Sequence, residues 1–309
     1  MPDSPLSASP YEILGVSATA SADELRKAYR RMLRETHPDT GGNRARFDAV
    51  QRAWERIGTP ASRAAYDSGS TRDASREQHE PFAPQGPRPR KDTRPLARSH
   101  GHPGGWRRER YLTLMREWAG RGVNLDDPYD PALVRTAPRD IRHLLADALA
   151  EEATARAVST LGIAYTIWHD VSTELGHPEQ KIDHIVLGPT GLFAVLSEDW
   201  GAPIKVKRGE LASEGLLPGE KPMQSLERRA RLLTKAAKVK FTGLAIVVPD
   251  DAIGSSTVGV GSSRGAAELV VQRSYLPGLL RSGVPGTELA GGVEIFDIRE
   301  RLQRVIRFV

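Results

Sequence analysis

The chain has 309 residues, 27% of them charged and 39% hydrophobic, a length that suits two or three domains of ~100–200 residues each and a composition that excludes wholesale disorder. Lys and Arg number 44 against 39 Asp and Glu, too small an excess to argue for an anionic partner by itself. With no cysteine, the chain has no disulfides, no thiolate catalysis and no Cys-ligated zinc, and suits a reducing compartment.

The opening MPDSPLSASP lacks a basic n-region and an apolar h-region, and no apolar run approaches the ~18–20 residues of a membrane span, so a soluble cytoplasmic protein with no membrane partner is expected. Residues 1–67 then read as short helices. Ser21 and Glu24 have the S-x-x-E form of a capping box, after which Leu25, Ala28, Tyr29, Met32 and Leu33 share one helical face and Arg26, Lys27, Arg30, Arg31 and Arg34 the other. Pro38 ends this helix near Thr36. Phe47, Val50, Ala53, Trp54 and Ile57 mark a second amphipathic helix, and Thr59-Pro60 starts a last short one.

Residues 68–105 are rich in Pro, Arg, Gly and Ser and bury too little apolar surface to order themselves, which predicts a disordered basic linker. Regular structure is expected again from Trp106. The patterns predict helices at 106–121 and 138–161, strands at 163–170, 181–188, 191–198 and 202–207, and a helix at 222–239. Strands at 244–248 and 268–272 and a final helix at 296–306 complete an α/β domain with a half-covered sheet. The isolated histidines His143, His169, His177 and His184 show no metal-ligand spacing and read as structural.

Five segments in order, SPYEILGV at 9–16, KAYRRM at 27–32, HPD at 37–39, RFDAVQRAWE at 46–55 and RAAYD at 63–67, resemble the J-domain of the DnaJ co-chaperone family. Pro38 fixes φ and bends the chain, so His37 and Asp39 are expected on an exposed loop beside the basic face. The resemblance implies that His37, Pro38 and Asp39, with Tyr29, Arg30, Arg31, Arg26, Lys27 and Arg34, dock on a DnaK-type chaperone and trigger its ATP hydrolysis. The core is expected from Tyr11, Leu14, Leu25, Ala28, Leu33, Phe47, Val50, Ala53 and Ile57, with Trp54 packed against it. No Gly/Phe-rich segment follows Asp67, so the module is joined to something other than a general DnaJ chaperone.

The segment IDHIVLGPTGLFAVLSEDWG at 182–201 resembles the nuclease-related NERD family, whose fold is that of restriction endonucleases; Glu151, Trp200, the PMQ of 222–224 and LAIVV at 244–248 extend the likeness over roughly 147–249. The family pattern places an Asp on one strand and E-x-K on the next, the carboxylates holding Mg²⁺ and the Lys helping to activate water. Asp183 matches the Asp, but Leu196 stands at the Glu position and Glu198 at the Lys position, so the inherited metal site is expected to be lost. If Pro189-Thr190 turns a two-residue hairpin, Asp183 faces Leu196 and Lys181 faces Glu198 on one side of the sheet. The favoured reading of that arrangement is a Lys181–Glu198 ion pair beside a solvated Asp183; the sharper one is a rearranged site of Asp183, Glu198 and Lys181. Glu151 and Gln224 match further polar positions of the family, which suggests a pocket that is formed without being catalytic.

The sequence therefore predicts an all-α J-domain at 1–67, a linker at 68–105 and a restriction-endonuclease-like α/β domain at 106–309. It predicts a co-chaperone of a DnaK-type chaperone, with no catalytic residues, no metal and no cofactor, whose second domain targets or binds, with nucleic acid as one candidate ligand through Arg-rich helices. The alternative is a metal-dependent nuclease regulated by its J-domain.

Overall fold

Ser9 and Ser21 each start a helix in the same way. Their hydroxyls accept from the backbone N–H of Glu12 and Glu24, and those glutamates accept in turn from the serine N–H groups at 2.7 Å, so two otherwise unpaired donors are satisfied at each end. In the computed structural model, which describes residues 4–6, 9–17, 19–37, 44–64, 66, 95–120, 125–174, 177–207, 209–217, 219–285 and 292–309, the chain forms two units, one within 7–91 and one within 92–309.

The first unit has helices α1 (Pro10–Leu14), α2 (Ala22–Thr36) and α3 (Arg44–Ile57), followed by α4 over 60–64. Tyr11, Leu14, Leu25, Val50, Ala53 and Ile57 form its core, with Tyr29, Leu33 and Trp54 packed against it. Arg63 ties α4 to the front of the unit by donating to the Tyr11 hydroxyl at 2.9 Å and the Ala20 carbonyl at 2.7 Å.

The second unit is built on a seven-stranded mixed sheet in the order β1-β2-β3-β4-β7-β9-β8. The strands are β1 (Arg98–His100), β2 (Thr166–Ser172), β3 (Lys181–Gly188), β4 (Gly191–Ser197), β7 (Gly243–Val248), β8 (Thr257–Ser263) and β9 (Ala266–Gln272), while β5 (Ile204–Lys207) and β6 (Glu210–Ser213) make a separate hairpin. Its helices are α5 (Gly105–Ala119), α6 (Pro131–Thr136), α7 (Arg139–Ser159), α8 (Pro222–Ala237), α9 (Leu276–Ser282) and α10 (Gly292–Val305).

Two apolar clusters cover the two faces of the sheet. Leu226, Ala230 and Leu233 of α8 and Leu302 of α10 pack with Ile185, Leu187, Leu192 and Leu196, and Val158 of α7 with Leu276 and Leu280 pack with Val186, Phe193 and Val195. The sheet is thus covered on both faces, not half-covered, and every residue of β3 and β4 is buried. A strand buried on both sides has no polar face to alternate, and that signal is missing from the sequence.

The predicted hairpin register holds, with Gly188 opposite Gly191 and His184 opposite Val195. Glycine is required at the second position: Gly191 has φ +119, and a Cβ there would sit 2.0 Å from Thr242 Oγ1. Two departures from the expectation lie near the start of this unit. Residues 95–105, assigned above to the linker, include β1, which pairs in parallel with β2, and α5 begins at Gly105. Residues 68–94, the rest of the expected linker, lie outside the described residues.

Candidate functional site

Each unit presents charge in its own way. In the first, Arg26, Lys27, Arg30, Arg31 and Arg34 are all exposed, and at 100° per residue they occupy an arc of roughly 140° on α2. Surface partners hold two of them, Asp23 at 3.2 Å from Arg26 and Glu35 at 3.9 Å from Arg31, while Arg34 donates to the Arg30 carbonyl. Tyr29, grouped with these residues by resemblance, is half-buried, its ring stacked on Trp54 at 4.4 Å. His37 caps α2 in an extended conformation, φ −62 and ψ 128, its ring edge-on to Phe47 at 5.2 Å. Pro38 and Asp39 lie outside the described residues.

The second unit gathers its charges inside. His143, Asp147 and Glu151 follow one another at intervals of four on α7, so one stripe of the helix carries all three. The start of α5 closes on that stripe. Gly104, with φ +73, comes so near Ala148 that a Cβ would meet its carbonyl oxygen at 2.8 Å, and its N–H donates to Glu151 at 3.0 Å. Three residues on, Arg107 binds Asp147 and places its Nε 2.6 Å from Glu151 Oε1.

From the sheet side comes Lys181, with no exposed side-chain surface. Its ammonium lies 2.5 Å from Glu151, 2.5 Å from Asp170 and 3.1 Å from Asp183. This replaces the expected Lys181–Glu198 pair, and Asp183 is fully buried instead of solvated. The other oxygen of Asp183 accepts from the Ser197 backbone N–H at 2.7 Å.

The geometric reason is a break in strand alternation. Ile182 shares a cluster with Ile185 and Leu187, although strict two-residue alternation would put it on the opposite face from them. The β2–β3 ladder skips the Asp170/Asp183 position, and Asp170 has φ 53, a conformation unusual for any residue but glycine. Beside this kink the rings of His169 and His184 meet at 2.7 Å between Nδ1 atoms, with Ser99 on His169 Nε2 and Ser197 on His184 Nε2.

Protonation follows from this crowding. Burial opposes the charge on Lys181, yet Asp183 and Glu151 outweigh it and raise its pKa. Burial likewise favours a neutral Asp183, but Lys181, Arg107, His184 and the Ser197 N–H bring it down to about 2. Glu151 and Glu198 are pushed well above the usual carboxylate range by burial and by their acidic neighbours, because carboxylates this close cannot all ionise together. Burial lowers His169 to about 3 and His184 to about 4, so both rings are neutral near pH 7.

Five of the candidate residues read from the sequence separate into three groups. Glu151, Asp183 and Lys181 meet in the cluster. Leu196 belongs to the apolar core against α8. Gln224 is exposed on the first turn of α8, outside the cluster. Mg²⁺ needs several oxygens in near-octahedral array, and here Asp183 is taken by Lys181 and Ser197 while Leu196 offers none, so the residues present do not fit the family's metal. Arg107, Asp147 and Asp170 were not singled out from sequence; the four-residue spacing of His143, Asp147 and Glu151 is the signal that could have found the α7 stripe.

Comparison with known proteins finds a matching region in each unit. Residues 9–67 match the family model described as the DnaJ domain, and residues 146–248 match that of the nuclease-related domain. The first region is 48% identical over 66 residues to Chaperone protein DnaJ 1 of Cutibacterium acnes, covering 21% of this chain and 17% of that protein. It is 48% identical over 60 residues to Chaperone protein DnaJ of Thermosynechococcus vestitus, 18% of this chain and 16% of the relative, and 42% identical over 78 residues to a DnaJ protein homolog of Cucumis sativus, 23% and 19%. The chain therefore spans only about a sixth to a fifth of these relatives. No helix among the described residues is long and apolar enough to cross a membrane.

Proposed function

We propose that this chain, an all-α J-domain followed by an α/β nuclease-related domain, is a co-chaperone whose first unit binds a DnaK-type chaperone and stimulates its ATPase, while the second unit serves as a targeting or binding module. The observation that carries the reading is the row of five exposed cations on α2, leading to His37 at the helix end in a segment that matches the DnaJ domain. Such a row suits an acidic protein surface, where complementary charge speeds encounter and fixes orientation. His37, Pro38 and Asp39 are the residues assigned the role of shifting the chaperone's conformational equilibrium, and Tyr29 acts from the packed side of α2 by holding the helix on Trp54.

The second unit enters this reading as a binder because its nuclease positions are spent on structure: Asp183 balances Lys181, and Leu196 is core. Cytoplasmic localisation goes with the chaperone partner.

The test is the chaperone's steady-state ATP turnover with the full chain added. Stimulation is expected with the natural sequence and its loss with His37→Gln; equal rates for the two would end the co-chaperone reading. Supercoiled plasmid incubated with the chain and Mg²⁺ should stay intact, and cleavage abolished by Asp183→Ala would restore the nuclease reading.

A further inference from the structure

Where α7 passes the end of β4, His143, Asp147 and Glu198 converge. One ring nitrogen of His143 and one oxygen from each carboxylate all lie within 4.8 Å of one another. Asp147 has no exposed surface. Its Oδ2 is bound by Arg107 and sits 3.7 Å from His143 Nε2, but its Oδ1 is buried with no hydrogen-bond partner. A buried carboxylate oxygen in that state costs on the order of 1–3 kcal/mol unless something occupies it.

Charge points the same way. Asp147, Glu151, Asp170, Asp183 and Glu198 stand around Arg107, Lys181 and Arg229. The five carboxylates outnumber the three cations by two, an excess that either two protons or one divalent cation can balance. His143 and Asp147, four apart on a helix, face the same side as a chelating pair, and Glu198 approaches from the sheet.

We propose that His143, Asp147 and Glu198 form a binding site for one divalent first-row transition cation. An imidazole nitrogen with two carboxylate oxygens suits Mn²⁺ or Zn²⁺. Bonds to such ions run ~2.0–2.2 Å, so the three ligand atoms must close in slightly from their present spacing. His143 can do this, since its side chain is 26% exposed, and that exposure is also the route of entry. Three protein ligands leave coordination positions for water or an anionic group. The site differs from the one implied by the nuclease resemblance: Asp183 takes no part in it, and Glu198, at the family's lysine position, becomes a ligand. It does not depend on the co-chaperone reading.

The experiment uses the full chain stripped with EDTA and dialysed against MnCl₂ or ZnCl₂, with bound metal counted by elemental analysis and affinity measured by calorimetry. One ion per chain is expected. His143→Ala and Glu198→Gln should each weaken binding by more than the roughly 10–100-fold that loss of an outer-sphere partner costs, whereas His177→Ala, at an exposed histidine outside the cluster, should leave it unchanged. Circular dichroism confirms that the variants fold, and His143, partly exposed, is the substitution least able to disturb the core. Absence of binding to the natural sequence would mean that protons alone balance the cluster. Binding unaltered in both ligand variants would place the ion elsewhere. Either result overturns the proposal.

Discussion

The five cations of α2 and the two that anchor the buried cluster, Arg107 and Lys181, are chemically alike and physically opposite. On α2 they are solvated, paired loosely with Asp23 and Glu35, and water screens them, so they add little to stability and stay available to a partner. Lys181 and Arg107 have given up water for carboxylates at 2.5–3.1 Å and 2.6 Å. Desolvation offsets much of that attraction, but removing one member leaves charge stranded in the interior. Surface charge thus stays in contact with solvent, where a partner can reach it, and buried charge is committed to holding β2, β3, α5 and α7 together.

Lys181→Ala should separate the two cases most strongly. It strands Glu151, Asp170 and Asp183 and is expected to destabilise the second unit by about 3–5 kcal/mol, read as an earlier urea transition in Trp168 and Trp200 fluorescence with the J-domain transition unmoved. A second unit of unchanged stability would mean that the cluster relaxes by taking up protons.

Acid should produce the next effect. His169 and His184 have folded pKa values of about 3 and about 4, below the ~6.5 of an unfolded histidine. The unfolded chain therefore binds more protons, and stability falls as pH drops below ~6.5, by about 3 kcal/mol per histidine at pH 4. His184 faces Asp183, Lys181 and Ser197, and His169 faces Asp170, His100 and Ser99. Glu151 and Glu198 work in the opposite direction, since their raised values make the folded state the better proton acceptor. Urea titrations at pH 7, 5.5 and 4 measure the sum; the second unit should lose stability over that range with a slope that His169→Gln reduces.

The smallest effect on folding should come from Arg30→Ala with Arg31→Ala. The unfolding midpoint should stay within experimental scatter, while the concentration for half-maximal ATPase stimulation rises about tenfold, equivalent to ~1.4 kcal/mol. A loss of stability with unchanged stimulation would reverse the distinction drawn between the two sets of charges.

Within the J-domain, most of the architecture was legible in the chain. Ser21 and Glu24 announced a capping box, Pro38 announced the end of α2, and helical periodicity named the buried side, because each signal acts over a few residues and needs no distant partner. The β3–β4 register was legible for the same reason, the turn at Pro189-Thr190 fixing it locally. The short β1, β6 and α9, and the edge strand β8, escaped because their ordering comes from what they pack on. Ser9–Glu12 carries the same capping-box signal.

The sequence alone determined the modular order, the basic face of α2 and the absence of a fitting oxygen at Leu196, since each is carried by residue type and local spacing. Only the tertiary structure decided that Lys181 turns away from Glu198 to Glu151, Asp170 and Asp183. That choice depends on a kink at Asp170 in the β2–β3 ladder and on burial beneath α5 and α7, which makes every unpaired charge costly.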